Sequence, residues 1–204
     1  MEINAEELRK YGEIYEPRCF IENEGNPNFS EKDLNAGVID DNDYYLSRAC
    51  LTRACVDGLI SCLNEEGKRG ILLVTRKGNP AKGKLWPVGG GLPRGIVGPR
   101  KALTSIALRE CNQNLTDFVY LGGVDFGWAT TPKIMDKGGK GIRDLGLIYY
   151  AQGGGELRFK NLDNDPLIVT PEMWDKKDGK LGNLHRYVSS NIEKAMVLLM
   201  DRFY

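Results

Sequence analysis

Histidine is almost absent: the 204-residue chain carries one, His185. A Ser-His-Asp triad would have to use it, and no Gly-x-Ser-x-Gly elbow accompanies it, which argues against a serine hydrolase. No metal-ligand cluster surrounds it in the sequence either. Cysteine is scarce and unpatterned. Cys19, Cys50, Cys55, Cys62 and Cys111 are odd in number and form no Cys-x-x-Cys pair. That argues against a disulfide framework or a zinc ribbon and leaves buried thiols as the reading. Net charge is lacking: Lys plus Arg and Asp plus Glu are 28 each. No basic field invites nucleic acid, and no acidic tail suggests a disordered arm. Long apolar runs are missing. Gly70-Ile71-Leu72-Leu73-Val74 is typical of the longest, far below the roughly 20 residues a membrane helix needs. The opening MEINAEELRK is acidic and amphipathic, with no apolar signal-peptide core, so a cytoplasmic protein without membrane partners is expected. Internal repeats and low-complexity tracts are absent.

What remains is ordinary globular material: 41% hydrophobic and 27% charged residues, enough for one domain with extensions. Asn4 is placed to cap a short helix over 4–12. Residues 16–45 are rich in Asn, Asp, Glu, Gly and Pro and read as irregular, so residues 1–48 form an N-terminal extension ahead of a domain at 49–204. Strand-like runs over 54–62 and 70–75 around the turn Asn64-Glu65-Glu66-Gly67 predict a hairpin. A short strand at 85–88 enters a glycine cluster. Pro99 to Asn112 reads as a helix, with Ala102, Leu103, Ile106, Ala107 and Cys111 on one face. Strands are predicted at 118–126 and 146–152, separated by a Gly/Lys-rich loop at 136–141, with another strand at 156–159. A terminal helix spans 191–203, striped by Ile192, Ala195, Met196, Leu199 and Phe203. The order is that of an α+β domain with a mixed sheet.

The chemistry concentrates between residues 86 and 115. Gly89-Gly90-Gly91 follows a strand, and three glycines allow close backbone approach to a ligand. Exposed N–H groups in such a turn attract phosphate. Arg94, Arg100 and Lys101 lie just beyond it, and Arg109-Glu110 sits on the helix that follows. In a neutral chain, this grouping points to an anionic ligand. A solvated basic loop is the plain alternative.

These residues resemble the Nudix hydrolases, which cleave nucleoside diphosphates linked to another moiety. That signature reads Gly-x5-Glu-x7-Arg-Glu-hydrophobic-x-Glu-Glu-x-Gly-hydrophobic. Anchored on Arg109-Glu110, its hydrophobic position is Cys111, its paired glutamates fall on Gln113 and Asn114, and its last two positions on Thr116 and Asp117. The first glutamate falls on Lys101, with about five extra residues in the preceding loop. Upstream, Arg76 and Asn79-Pro80-Ala81-Lys82-Gly83-Lys84-Leu85-Trp86-Pro87-Val88-Gly89-Gly90 are similar to the approach segment of the GDP-mannose mannosyl hydrolase branch. The resemblance spans roughly residues 50–175. It implies a mixed sheet sandwiched by helices (α/β/α), a nucleotide or nucleotide-sugar ligand, and Mg²⁺ or Mn²⁺ if the protein is catalytic. Homodimerisation is an open expectation.

By the same resemblance, Glu110 is the catalytic base or metal ligand. Arg109 would orient the box by ion pairing; with it, Arg76, the glycines Gly89, Gly90 and Gly91 and the cations Arg94, Arg100 and Lys101 are the candidate phosphate and substrate contacts. Gln113 and Asn114 occupy the usual metal-ligand positions with neutral amides, poor partners for a hard cation, and Lys101 brings a positive charge where a carboxylate stands. Asp117, Asp125, Asp144, Glu156 and Glu172 are the acids outside the box that could complete a metal site. Trp86, Trp128 and Trp174 are the rings that could stack a base or sugar. Three readings therefore stand: a hydrolase with an altered box, a nucleotide-binding protein without turnover, and a scaffold that keeps only the fold.

Overall fold

The computed structural model describes residues 4–17, 52–77, 81–93, 96, 98–129, 141–159 and 165–204. Arg94, most of the irregular segment 16–45 and positions 136–140 of the predicted loop lie outside these residues.

Helix α1 (Ala5–Tyr15) starts where Asn4 permits: its Oδ1 accepts the Glu7 N–H at 2.8 Å, satisfying an end donor that has no helical partner. The hairpin follows as β1 (Arg53–Leu63) and β2 (Arg69–Thr75), antiparallel, with Asn64 Oδ1 accepting the N–H groups of Glu66 and Lys68 inside the turn. Then come β3 (Leu85–Trp86), β4 (Val88–Gly91) and α2 (Pro99–Cys111). Pro99 supplies the fixed φ of a first helical turn. Asn112 ends the helix in the left-handed conformation, φ 57°, which asparagine tolerates. Beyond it lie β5 (Asn114–Ala129), β6 (Gly141–Gly154), β7 (Pro166–Val169), α3 (Pro171–Asp175), a 3₁₀ turn at Gly179–Asn183, and α4 (Arg186–Phe203).

The strands form one mixed sheet in the order β3-β2-β1-β6-β5, with β4 also paired to β1 and β7 to β2. Only β1 and β6 run parallel among the described pairs. Alternation sends side chains to two cores. Leu59, Ile71, Leu73, Leu121 and Ile148 pack under α1 and α4 through Leu8, Ile192, Met196 and Leu199. Val56, Ile60, Leu72, Tyr149 and Ala151 pack under α2 through Leu103, Ile106 and Ala107. The strands β1, β2, β5 and β6 thus feed both layers with period 2, and helices cover both faces of the sheet. Gly58 lets α2 settle closely, since a Cβ there would lie 2.8 Å from Leu103 Cδ2.

Several expectations change. Residues 89–91 are a strand rather than a turn: Gly89, Gly90 and Gly91 pair with Asp57, Val56 and Cys55, and none of the three has positive φ. Residues 156–159 form no strand; the Arg158 N–H bonds to Cys111 O at the end of α2 instead of to the sheet. Strands β5 and β6 run longer than their apolar cores suggested. Helix α4 begins five residues early, at Arg186, because His185 Nδ1 accepts the Tyr187 N–H at 3.3 Å and serves as its cap. Among the described residues, no helix is long and apolar enough to cross a membrane.

Candidate functional site

β1 pairs with β4 through residues 55–58 and with β2 through residues 60–63. Where these partners diverge, a cavity of about 220 Å³ opens. Period-2 alternation puts Arg53, Cys55 and Asp57 on one face of β1, and all three line it. Asp144 enters from β6, because the parallel register sets it beside Arg53. Arg76 follows β2, Trp86 and Val88 come from β3 and β4, Phe126 from β5 and Glu110 from α2. Gly89 and Gly90 complete the wall without side chains.

Asp57 is the group on which the cavity is built. It is 5% exposed, and the Tyr187 hydroxyl donates to its Oδ2 at 3.0 Å. Burial pushes its carboxyl up to about 6, against the pull of the Tyr187 and Trp86 hydrogen bonds and the charges of Arg76 and Arg53. Desolvation disfavours the ionised form, and these partners offset it only in part. Tyr187 is driven up in turn by burial and by the charge on Asp57. Behind this pair stands an aromatic wall. The Trp86 ring lies 5.8 Å from Phe126, 5.1 Å from Tyr187 and 5.2 Å from His185, centre to centre.

Arg53 reaches Asp144 with two donors, Nε to Oδ1 at 3.3 Å and Nη2 to Oδ2 at 3.4 Å. Arg76 is different. Its guanidinium lies over the Trp86 ring, 4.9 Å from the centre, and meets no carboxylate within ion-pair distance among the described residues. Burial lowers its pKa, opposed by the charges of Asp57 and Asp144. A half-buried fork of N–H donors facing a cavity is the feature here that most wants an anion.

The sequence candidates divide. Arg76, Gly89, Gly90 and Glu110 line this cavity together. Gly91 lies next to it, opposite Cys55. Arg109 turns outward and donates to Glu110 Oε1 at 2.9 Å. Arg100 lies at a different hollow, bound through Nε and Nη2 to both oxygens of Glu16 beyond the end of α1. Lys101 is exposed on the first turn of α2 and does not line the cavity. Gln113 and Asn114 do not stand on the helix, which stops at Cys111. Gln113 is fully buried, its Nε2 donating to the carbonyl of Gly155 at 3.3 Å. Asn114 is exposed on β5. Of the acids outside the box, only Asp144 reaches the cavity; Asp125, Glu156 and Asp117 pair with Arg143, Arg158 and Arg202. Trp86 is packed in the wall rather than standing open, Trp174 packs on the α4 side of the core, and the Trp128 side chain lies outside those described.

The sequence placed none of Arg53, Cys55, Asp57 and Phe126 in a site, reading Cys55 only as a buried thiol. One signal was present: Asp57 is a lone carboxylate inside the apolar strand Cys55–Leu63, and a charge in such a place is seldom idle.

The Mg²⁺ or Mn²⁺ implied by the Nudix resemblance requires several converging anionic oxygens. Among the described residues, no three His, Cys, Asp or Glu side chains converge closely enough to hold an ion. Glu110 is engaged by Arg109, Asp144 by Arg53 and Asp57 by Tyr187. These residues do not fit the ion.

Solved structures similar to this chain include Nudix proteins. A MutT Nudix hydrolase from Burkholderia pseudomallei is 18% identical, with 71% of this chain and 98% of that one covered at a TM-score of 0.48. The Nudix domain of Shewanella oneidensis NrtR, complexed with ADP ribose, is 12% identical over 81% of this chain and 100% of its own, at 0.49. A MutT protein from Methanosarcina mazei is 16% identical over 75% and 96%, also at 0.49. The sequence matches no protein-family model and no curated protein.

Proposed function

We propose that this protein binds a nucleoside diphosphate linked to another moiety, of nucleotide-sugar type, in the cavity between β1, β4 and β6. Arg76 carries the reading: a half-buried guanidinium on the cavity wall, stacked on Trp86 and without a carboxylate partner among the described residues. A phosphate offers two oxygens to its fork, and charge-assisted pairs of this kind are the stronger hydrogen bonds of proteins. Gly90 leaves room on the wall for a ligand to approach the backbone, since the nearest atom to an added Cβ there is Ile106 Cδ1 at 4.0 Å. The approach segment from Arg76 to Gly90, which resembles the mannosyl hydrolase branch, supports the nucleotide-sugar class. Arg53 holds Asp144 to one side and Arg109 holds Glu110 at the rim, so the carboxylates sit beside the phosphate site already engaged.

A panel of nucleotide sugars and nucleoside diphosphates tests this by thermal shift, with phosphorus NMR following each compound. At a hundredfold excess over Kd, a ligand adds about 2.7 kcal/mol of stability, which a melting curve resolves. At least one nucleotide sugar raises Tm in the wild type, and Arg76→Gln removes the shift. A panel that moves nothing rejects the reading. New phosphorus signals would mark the protein as a hydrolase.

A further inference from the structure

Resting on that reading of the cavity, we propose that its phosphate-bearing ligand is held directly by Arg76 without a divalent cation, because each carboxylate that could recruit one is already matched inside the protein. Glu110 accepts from Arg109 at 2.9 Å. Asp144, itself nearly buried, accepts two N–H groups of Arg53. Asp57 accepts from Tyr187 at 3.0 Å and also from Trp86. A divalent ion would have to strip Arg53 from Asp144 and Arg109 from Glu110, then stand beside the Arg53 and Arg76 guanidinium groups that line the same cavity. Like charges at such short range repel. The two box positions that could supply further oxygens do not line the cavity: Gln113 is buried with its Nε2 on the carbonyl of Gly155, and Asn114 is exposed on β5.

The charge balance has a consequence. Asp57 is the cavity's own countercharge to Arg76. When a phosphate takes Arg76, the buried carboxylate faces a second anion, and a proton on Asp57 relieves the repulsion. A proton thus does for this pocket what a metal would do elsewhere. The groups facing Asp57 are Arg53 and Cys55 on β1, Arg76 after β2, Trp86 on β3, Glu110 on α2, Asp144 on β6 and Tyr187 on α4, with His185 behind the Trp86 ring.

Inorganic pyrophosphate is the probe. Its binding to the full chain is followed by calorimetry in EDTA and in excess Mg²⁺, using two buffers of different ionisation enthalpy to count protons. Mn²⁺ binding to the wild type is measured separately by electron paramagnetic resonance. Binding in EDTA matches that in Mg²⁺, falls by about tenfold or more in Arg76→Gln, and takes up protons in the wild type but not in Asp57→Asn. Mn²⁺ shows no tight site. Melting curves exclude unfolded variants, and the wild-type measurements stand without them. Binding that needs Mg²⁺, or a tight Mn²⁺ site lost in Glu110→Gln, overturns the inference and leaves the nucleotide reading in place. Metal-independent pyrophosphate binding with no response to any nucleotide does the reverse. No binding to either, with or without metal, overturns both.

Discussion

Gly89 and Asp57 face each other across the antiparallel β1–β4 pair, and a Cβ at position 89 would lie 2.2 Å from Asp57 Oδ1 and 2.4 Å from Val56 O. The glycine is there to make room for a carboxylate. At Gly90, by contrast, the nearest atom to an added Cβ is Ile106 Cδ1 at 4.0 Å. Gly89→Ala should therefore cost about 1–3 kcal/mol, as overpacking does, and displace Asp57 from Tyr187. Gly90→Ala should fold with a near wild-type Tm. Urea denaturation of the two variants side by side checks the contrast; equal losses would remove the steric argument.

The raised Asp57 carboxyl sets a pH dependence. Its pKa moves from 3.8 unfolded to about 6 folded. Between those values the folded state holds more protons, so the contribution of this group to stability falls as pH rises through the window and is level above it. The fall is on the order of 3 kcal/mol. Denaturation at intervals from about pH 4 to 7 should show that component in the wild type and not in Asp57→Asn. Parallel profiles for the two proteins would place the Asp57 pKa near its ordinary value.

Tyr187→Phe deletes a donor to Asp57 while keeping the ring that packs on Phe126 edge-on at 4.7 Å. The Tyr187 bond pulls the Asp57 pKa down, so its removal should raise it. Stability should drop by roughly 1.5–3 kcal/mol at neutral pH, where a hydrogen bond to a charged group is lost. Carbon-detected NMR of the Asp57 carboxyl reports the direction; a downward shift would contradict the hydrogen bond.

Burial pushes Cys62 and Cys111 up to about 12. The thiolate is the reactive form, so both should resist alkylation in the native protein at about pH 8 and react on unfolding. Mass mapping after timed iodoacetamide treatment decides it. Rapid native labelling of either would mean that the strand β1 end or the α2 end opens locally.

Period and capping made the elements legible. The stripe Ala102, Leu103, Ile106, Ala107, Cys111 became the buried face of α2, and Asn4 caps α1. Glycine misled, because a run of three reads equally as a turn or as a strand whose side-chain space belongs to a neighbour, and only the Asp57 contact separates the two. The first turn of α4 hid for a related reason: its cap is a histidine, an unusual choice. In the site, residues close in sequence to the glycines were within reach of inspection. Arg53 was not, and Asp144 stood only as one of five acids, since their pairing comes from a parallel register between strands whose partners are 91 residues apart. Arg100 illustrates the opposite error. It is a neighbour in sequence that the fold spends on Glu16.

The docking of α1 carries a consequence for how the chain assembles. Gly12 presses on the backbone of Tyr120, where a Cβ would lie 3.0 Å from its nitrogen, and Arg9 holds Asp201 at 2.7 Å across 192 residues of sequence. A helix of 11 residues is marginal alone in water, and its seat on β5 and α4 is synthesised long after it. Made before its seat, α1 is thus fixed late, and a pair of dyes on α1 and α4 should draw together late in refolding.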